Sequence, residues 1–240
     1  MMEKAKNIKL YIGLFYFLFI GLFLYYFFSK FSLQEIRSYD FIKNNRNYFF
    51  ELRNSNLFLL AAIFLIFTII WVLAAGFGSP IAIFGGFIFG KWIGSVIVVL
   101  GLSIGATLLY IFANFFLKEF IRKKFLDKYQ SLEAKFKKSE FIYLLFYRFI
   151  AGIPFAISNV LPCIFNVKIF NFFWATLIGL SPSIFLICSI GSGLEKIIDQ
   201  NLEAPSMLDL FSSRDIYIPF IIFVCLVIIT IILRKTFYRK

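Results

Sequence analysis

Apolar residues fall into five blocks along the chain, at 8–28, 57–90, 92–117, 141–190 and 216–233. A helix rises 1.5 Å per residue and the hydrocarbon core of a bilayer is about 30 Å thick, so about 20 apolar residues make one crossing. The first, third and fifth blocks each suit a single helix. The second and fourth are too long for one, and both are broken. The breaks fall at Gly76, Gly78 and Pro80 in the second and at Gly152, Pro154 and Pro162 in the fourth. Proline removes a helical hydrogen bond and clashes with the preceding turn. Non-helical backbone at membrane depth survives only where protein or a water-filled cavity covers it. The pattern therefore predicts an all-α integral membrane protein, a multi-span helical bundle with two re-entrant hairpins at 57–90 and 141–168 and full spans at 92–117 and 169–190.

The polar stretches between the blocks set the expected orientation. Residues 29–56 are mixed in charge, and Phe31, Leu33, Ile36, Tyr39 and Phe41 suggest a short amphipathic helix on the membrane surface. Residues 118–140 hold eight basic and four acidic side chains with apolar residues at helical spacing, a basic amphipathic interfacial helix. Residues 191–215 are acidic, with Glu195, Asp199, Glu203, Asp209 and Asp215 against Lys196 and Arg214. Basic residues mark the inner face. Lys4, Lys6 and Lys9 place the N-terminus there, as the 118–138 cluster and the tail Arg234, Lys235, Arg239 and Lys240 do for their segments. The parity closes only if 57–90 and 141–168 each return to the side they enter. The expected organisation is an anchor at 1–32, a membrane domain at 33–198, and an acidic outer loop with a last helix and basic tail at 199–240. The first block, which lacks a small-residue cleavage site before Ser29, reads as an uncleaved anchor rather than a signal peptide. The expected location is multi-pass and integral, in the inner membrane if the source is bacterial, with both termini cytoplasmic.

Composition narrows the classes further. Of the 240 residues 61% are hydrophobic and 16% charged, and mean hydropathy is +0.87. A soluble chain this apolar could not cover its own surface. The net charge of +12 fits a positive-inside membrane protein better than a nucleic-acid binder, since no nucleic-acid module is present. There is no His, and Cys163, Cys188 and Cys225 stand far apart inside or beside apolar segments, so no usual zinc set forms. No catalytic base, nucleophile elbow or intramembrane carboxylate pair is visible. No enzyme activity, cofactor or metal is expected.

The two breaks resemble each other. The first reads Gly78-Ser79-Pro80-Ile81-Ala82-Ile83 and the second Gly152-Ile153-Pro154-Phe155-Ala156-Ile157, and each precedes one full span. Two such units entering from opposite faces make an inverted repeat, a layout typical of transporters with a site near the midplane. Arg148 is the sharpest chemical signal. It stands in an apolar run, and no Asp or Glu occurs between Glu51 and Glu119 or between Glu140 and Glu195. A charge at the centre of a membrane helix costs about 2.5–3.5 kcal/mol on insertion scales. Its guanidinium must therefore find carbonyls, water or an anion, or else snorkel or tie the hairpin together. Ser158 and Asn159 after the second break, and Ser79 in the first, can satisfy freed backbone groups or line a polar path. Gly85, Gly86, Gly90, Gly94, Gly101 and Gly105 are spaced for close helix packing.

The glycines at 78, 85, 86, 90, 94 and 105, with Pro80, and the later run Tyr143, Arg148, Gly152, Pro154 and Asn159, resemble the DedA superfamily. The likeness is closest to the SNARE-associated Golgi or VTT-domain branch and covers roughly residues 33–198. The resemblance implies two re-entrant hairpins in an inverted repeat and movement of phospholipid or polyprenyl-phosphate across the bilayer. Ala151 stands where the family usually has Pro, and the first hairpin lacks the acidic residue associated with proton coupling. The leading expectation is a lipid translocase or scramblase. Its site would hold Arg148, Gly152, Pro154, Ser158, Asn159, Gly78, Ser79 and Pro80, with membrane lipids bearing anionic headgroups as partners and self-association left open. The rival expectations are an ion or small-solute transporter and a non-transporting scaffold or trafficking factor.

Overall fold

Long runs of Leu, Ile, Phe, Val and Ala with intact backbone pairing give helices throughout. The computed structural model describes residues 2–30, 39–118, 137, 139–149 and 154–199, with seven helical positions between 217 and 228. Most of the expected interfacial helix at 118–140, Gly152 and more than half of the expected last span fall outside the described residues. The elements are α1 (Met2–Lys30), α2 (Tyr39–Ser55), α3 (Leu57–Leu73), α4 (Gly78–Phe116), α5 (Glu140–Phe149), α6 (Phe155–Val160), a 3-10 turn (Leu161–Phe165) and α7 (Ile169–Asp199). Among the described residues, Lys9–Lys30, Gly78–Phe116 and Ile169–Lys196 are long and apolar enough to cross a membrane.

Length alone misleads at α4, because the helix folds back on itself. Gly90 has φ 76° and ψ 171°, a region open essentially to glycine alone. A Cβ on Gly94 would stand 2.4 Å from the Gly85 carbonyl oxygen, and one on Gly85 would stand 2.4 Å from Val98. Residues nine apart touch only if the chain has reversed between them. The limb before Gly90 spans roughly 18 Å and the limb after it about 39 Å, so only the second is long enough to cross. Gly90 therefore turns the chain, while its neighbours in the glycine row let the two limbs approach.

α2 and α3 meet at a 116° bend. Asn56 makes the corner by capping α3, its Oδ1 accepting from Leu59 N at 2.9 Å. Arg53 on α2 donates to the Ile88 carbonyl at 3.0 Å, meeting the free carbonyl end of the first α4 limb. An amphipathic helix thus runs over 39–55, while most of the expected one at 31–41 lies outside the described residues. α3 then runs beside the second limb of α4 in the same direction. Thr68 lies against Gly101 and Val72 against Gly105, while Phe64 meets Gly85 on the returning limb. At the turn between α3 and α4 the Trp71 indole donates to Phe77 O at 2.9 Å and lies where a side chain on Gly76 would stand. This turn comes to rest about halfway along the second limb, with Gly78 against Leu102.

The later elements repeat the plan in the opposite sense. Glu140 at the start of α5 accepts from Asn171 Nδ2 at 2.9 Å, and Arg148 near its end lies against Gly179, so α5 and α7 run together. α6 and the 3-10 turn come back against α4. Tyr110 closes that return by donating to Val167 O at 2.7 Å and stacking on Phe172 at 4.5 Å. The two units pack with their long helices antiparallel. Tyr110 pairs with Phe172 at one end, and near the other Gly86 lies against Cys188 and Gly191 against Ile83. α1 lies along the outside, with Tyr16 stacked on Phe112 and donating to Leu73 O, and Phe23 and Phe27 against Phe67. Most of its large side chains face outward. Lys9, Lys118, Glu140 and Lys168 gather at one end of the bundle, and Lys30, Arg53 and Gly90 at the other. α7 runs as one helix to Asp199, beyond the expected end of its span.

Candidate functional site

Arg148 sits in the last turn of α5, a ten-residue helix too short to carry it away from the middle of the bundle. Glycine at 179 lets it in: a Cβ there would be 2.6 Å from Arg148 Cβ. The side chain is buried, at 8% exposure. Its Nε donates to Thr176 Oγ1 at 3.1 Å, and Nη1 donates to Ser158 Oγ at 3.0 Å and to Asn159 Oδ1 at 2.9 Å. The guanidinium carbon stands 5.0 Å from the Phe172 ring centroid, a geometry that favours a cation. No carboxylate among the described residues pairs with it. Glu140, the acidic residue on the same helix, is at the far end holding Asn171 and the Lys168 amide.

α6 supplies the polar wall. At 100° per residue Ser158 and Asn159 share one face, while Ala156, Ile157, Val160 and Leu161 share the other and line a shallow apolar depression. Both polar residues are buried, Asn159 completely. Ser158 also donates to the Phe155 carbonyl at 2.8 Å, which settles its proton. Two donors remain: Arg148 Nη2 and Asn159 Nδ2 are buried without a hydrogen-bond partner among the described residues. A buried unsatisfied polar group costs about 1–3 kcal/mol, and more when charged. Two such donors flanking one hydrogen bond make a place for an acceptor.

Of the residues singled out by sequence, the structure brings Arg148, Ser158 and Asn159 together. Pro154 is exposed at the start of α6, and Ser79 and Pro80 are exposed at the start of α4, outside this cluster. Gly78 packs on Leu102, and Gly152 lies outside the described residues. Thr176 and Phe172 were missed. The one threonine of α7, three residues before a glycine, is the faint signal that could have pointed to Thr176.

This cluster lies within a recognisable unit. A family model of the VTT domain matches residues 77–193, from the turn before α4 to within α7. This unit is a VTT domain of the DedA family. The VTT domain takes in both limbs of α4 and the whole Arg148 cluster, and leaves α1, α2 and α3 outside the match. Similar curated proteins include a transmembrane protein 41 homolog of Caenorhabditis elegans, 27% identical over 136 residues, covering 54% of this chain and 55% of that protein. YqeD of Bacillus subtilis is 35% identical over 115 residues, covering 47% of this chain and 55% of its own length. A transmembrane protein 41 homolog of Dictyostelium discoideum is 28% identical over 158 residues, covering 62% and 45%. The chain spans about half the length of the curated relatives it matches. No solved structure matches it significantly. With its apolar helices and these relatives, this VTT-domain chain is a membrane protein.

Proposed function

We propose that the protein moves lipids with phosphate-bearing headgroups across the bilayer, with Arg148 contacting the phosphate. The observation that carries this reading is a buried guanidinium held by three neutral side chains, with no carboxylate among the described residues beside it and one nitrogen left over. An arginine fork suits a phosphate, which supplies both acceptor oxygens and counter-charge. The turn at Gly78 and the end of α5 at Arg148 reach the middle of the two long helices from opposite ends, which supports re-entrant hairpins around a midplane site. The apolar side of α6 would accompany the acyl chains. Positive charge makes the end bearing Lys9 and Lys118 the cytoplasmic one.

The same three hydrogen bonds also favour a second reading, in which Arg148 only ties α5 to α6 and α7. Flip rates of labelled phospholipid in reconstituted vesicles, normalised to folded protein, separate the two for wild type, Arg148→Lys and Arg148→Ala. Phosphate contact predicts that Arg148→Lys inserts and folds yet loses most lipid movement, because a point charge cannot reproduce the fork. Unchanged normalised rates in both variants leave only the structural tie.

A further inference from the structure

Resting on that reading, we propose that Arg148 Nη2 and Asn159 Nδ2 form a donor-only pair that holds a phosphate oxygen and selects phosphate-bearing ligands over uncharged ones. The carboxamide orientation follows from its partner. Arg148 Nη1 has no lone pair to offer, so the atom 2.9 Å from it must be the oxygen of Asn159, and Nδ2 is turned away as a donor. The nearby acceptors are engaged by the same guanidinium: Ser158 Oγ and Asn159 Oδ1 by Nη1, and Thr176 Oγ1 by Nε. Ser158 has given its proton to Phe155 O. What is left over at the guanidinium and the carboxamide is two buried donors without partners.

A phosphate oxygen only accepts, and brings negative charge to a site where no described carboxylate pairs with the guanidinium. A cation meets the positive charge of the guanidinium. A sugar hydroxyl can accept, but it leaves the charge unbalanced. Because both donors are covered, the site must open to admit the ligand. A lipid headgroup and free phosphate offer the same oxygen.

The test uses the full chain in vesicles with fluorescent phosphatidylglycerol, phosphatidylcholine and an uncharged glucosylceramide. Wild type should move both phospholipids at least about tenfold faster than the glycolipid, a gap of about 1.4 kcal/mol. Asn159→Asp keeps an oxygen for Arg148 Nη1 but replaces the second donor with a charged acceptor. It should cut phospholipid movement at least about tenfold per folded protein. Equal wild-type rates for all three lipids overturn the proposal, as does Asn159→Asp moving phospholipids at the wild-type rate. Should Asn159→Asp fail to fold, the wild-type comparison of headgroups decides alone. If wild type moves no lipid, the transport reading fails, and the pair is judged on inorganic phosphate and thermal unfolding in detergent. A phosphate-dependent rise in Tm for wild type that Asn159→Asp lacks then supports a free-phosphate site, and no rise in wild type overturns the pair as well. Selective phospholipid movement without a phosphate-dependent rise assigns the oxygen to the headgroup.

Discussion

Replacing Gly86 with alanine tests the packing on which the site depends. A Cβ at Gly86 would stand 2.0 Å from the Cys188 carbonyl oxygen and 2.5 Å from Cys188 Cα. Real Cβ contacts are essentially never below 3.0 Å, so the first limb of α4 and α7 would have to separate by roughly 1 Å. Both offending atoms are backbone, so no side chain can rotate away. Overpacking of a tight core costs about 1–3 kcal/mol, and a backbone clash belongs at the upper end. For a chain of this size about 3 kcal/mol lowers Tm by roughly 6–12 °C. Gly191→Ala, whose Cβ would stand 2.0 Å from Ile83 O on the other side of the same crossing, should behave alike. Gly21 is the control: nothing lies within 4 Å of its Cβ position, and in α1 alanine gains up to about 1 kcal/mol of helix propensity. The assay is thermal unfolding of purified protein in one detergent, followed by loss of monodisperse material. A Gly86→Ala protein that melts with wild type, or no lower than Gly21→Ala, would refute the crossing as described.

Two further outcomes follow from the same packing. Tyr110→Phe should cost about 1–2 kcal/mol by leaving the Val167 carbonyl without its buried donor, read as a lower Tm in the same assay. Lys168→Cys and Asn54→Cys, both at exposed positions, should react with an impermeant thiol reagent from opposite sides of oriented vesicles. Labelling of both from one side would contradict the ends to which the bundle assigns them.

Much of the fold could be read from the order of apolar blocks, because length and unbroken hydropathy are local properties that bilayer thickness calibrates. Which residue of the glycine row turns the chain was hidden for the same reason. In a row of regularly spaced glycines, spacing cannot separate a glycine that admits a neighbouring helix from one that turns the chain, and only its φ of 76° tells them apart. The surface helix expected from the apolar spacing at 31–41 falls largely outside the described residues, and that spacing carries no marker of the corner that Asn56 makes after the helix at 39–55. Arg148 stood out as a lone charge in an apolar run. Thr176 did not, because a helical hydroxyl usually bonds the carbonyl one turn back, as Thr107 does to Ser103 and Ser189 to Phe185. That it serves Arg148 instead is a fact of tertiary structure. Ser79 and Pro80 matched the later break in sequence but not in surroundings, since one unit places a charge beside its turn and the other does not.

The contact between Gly86 and Cys188 also bears on the order of assembly. The first limb of α4 can close on the second as soon as both have emerged, because the residues that meet, Gly85 and Gly94, are near neighbours in sequence. The groove beside Gly86 is completed only by α7, near the end of the domain, so loop-closure entropy is met late. During synthesis the first unit is a finished hairpin with a bare glycine flank. That flank stays uncovered by α7 until the last helix of the domain arrives, and a chain truncated before residue 169 keeps it so.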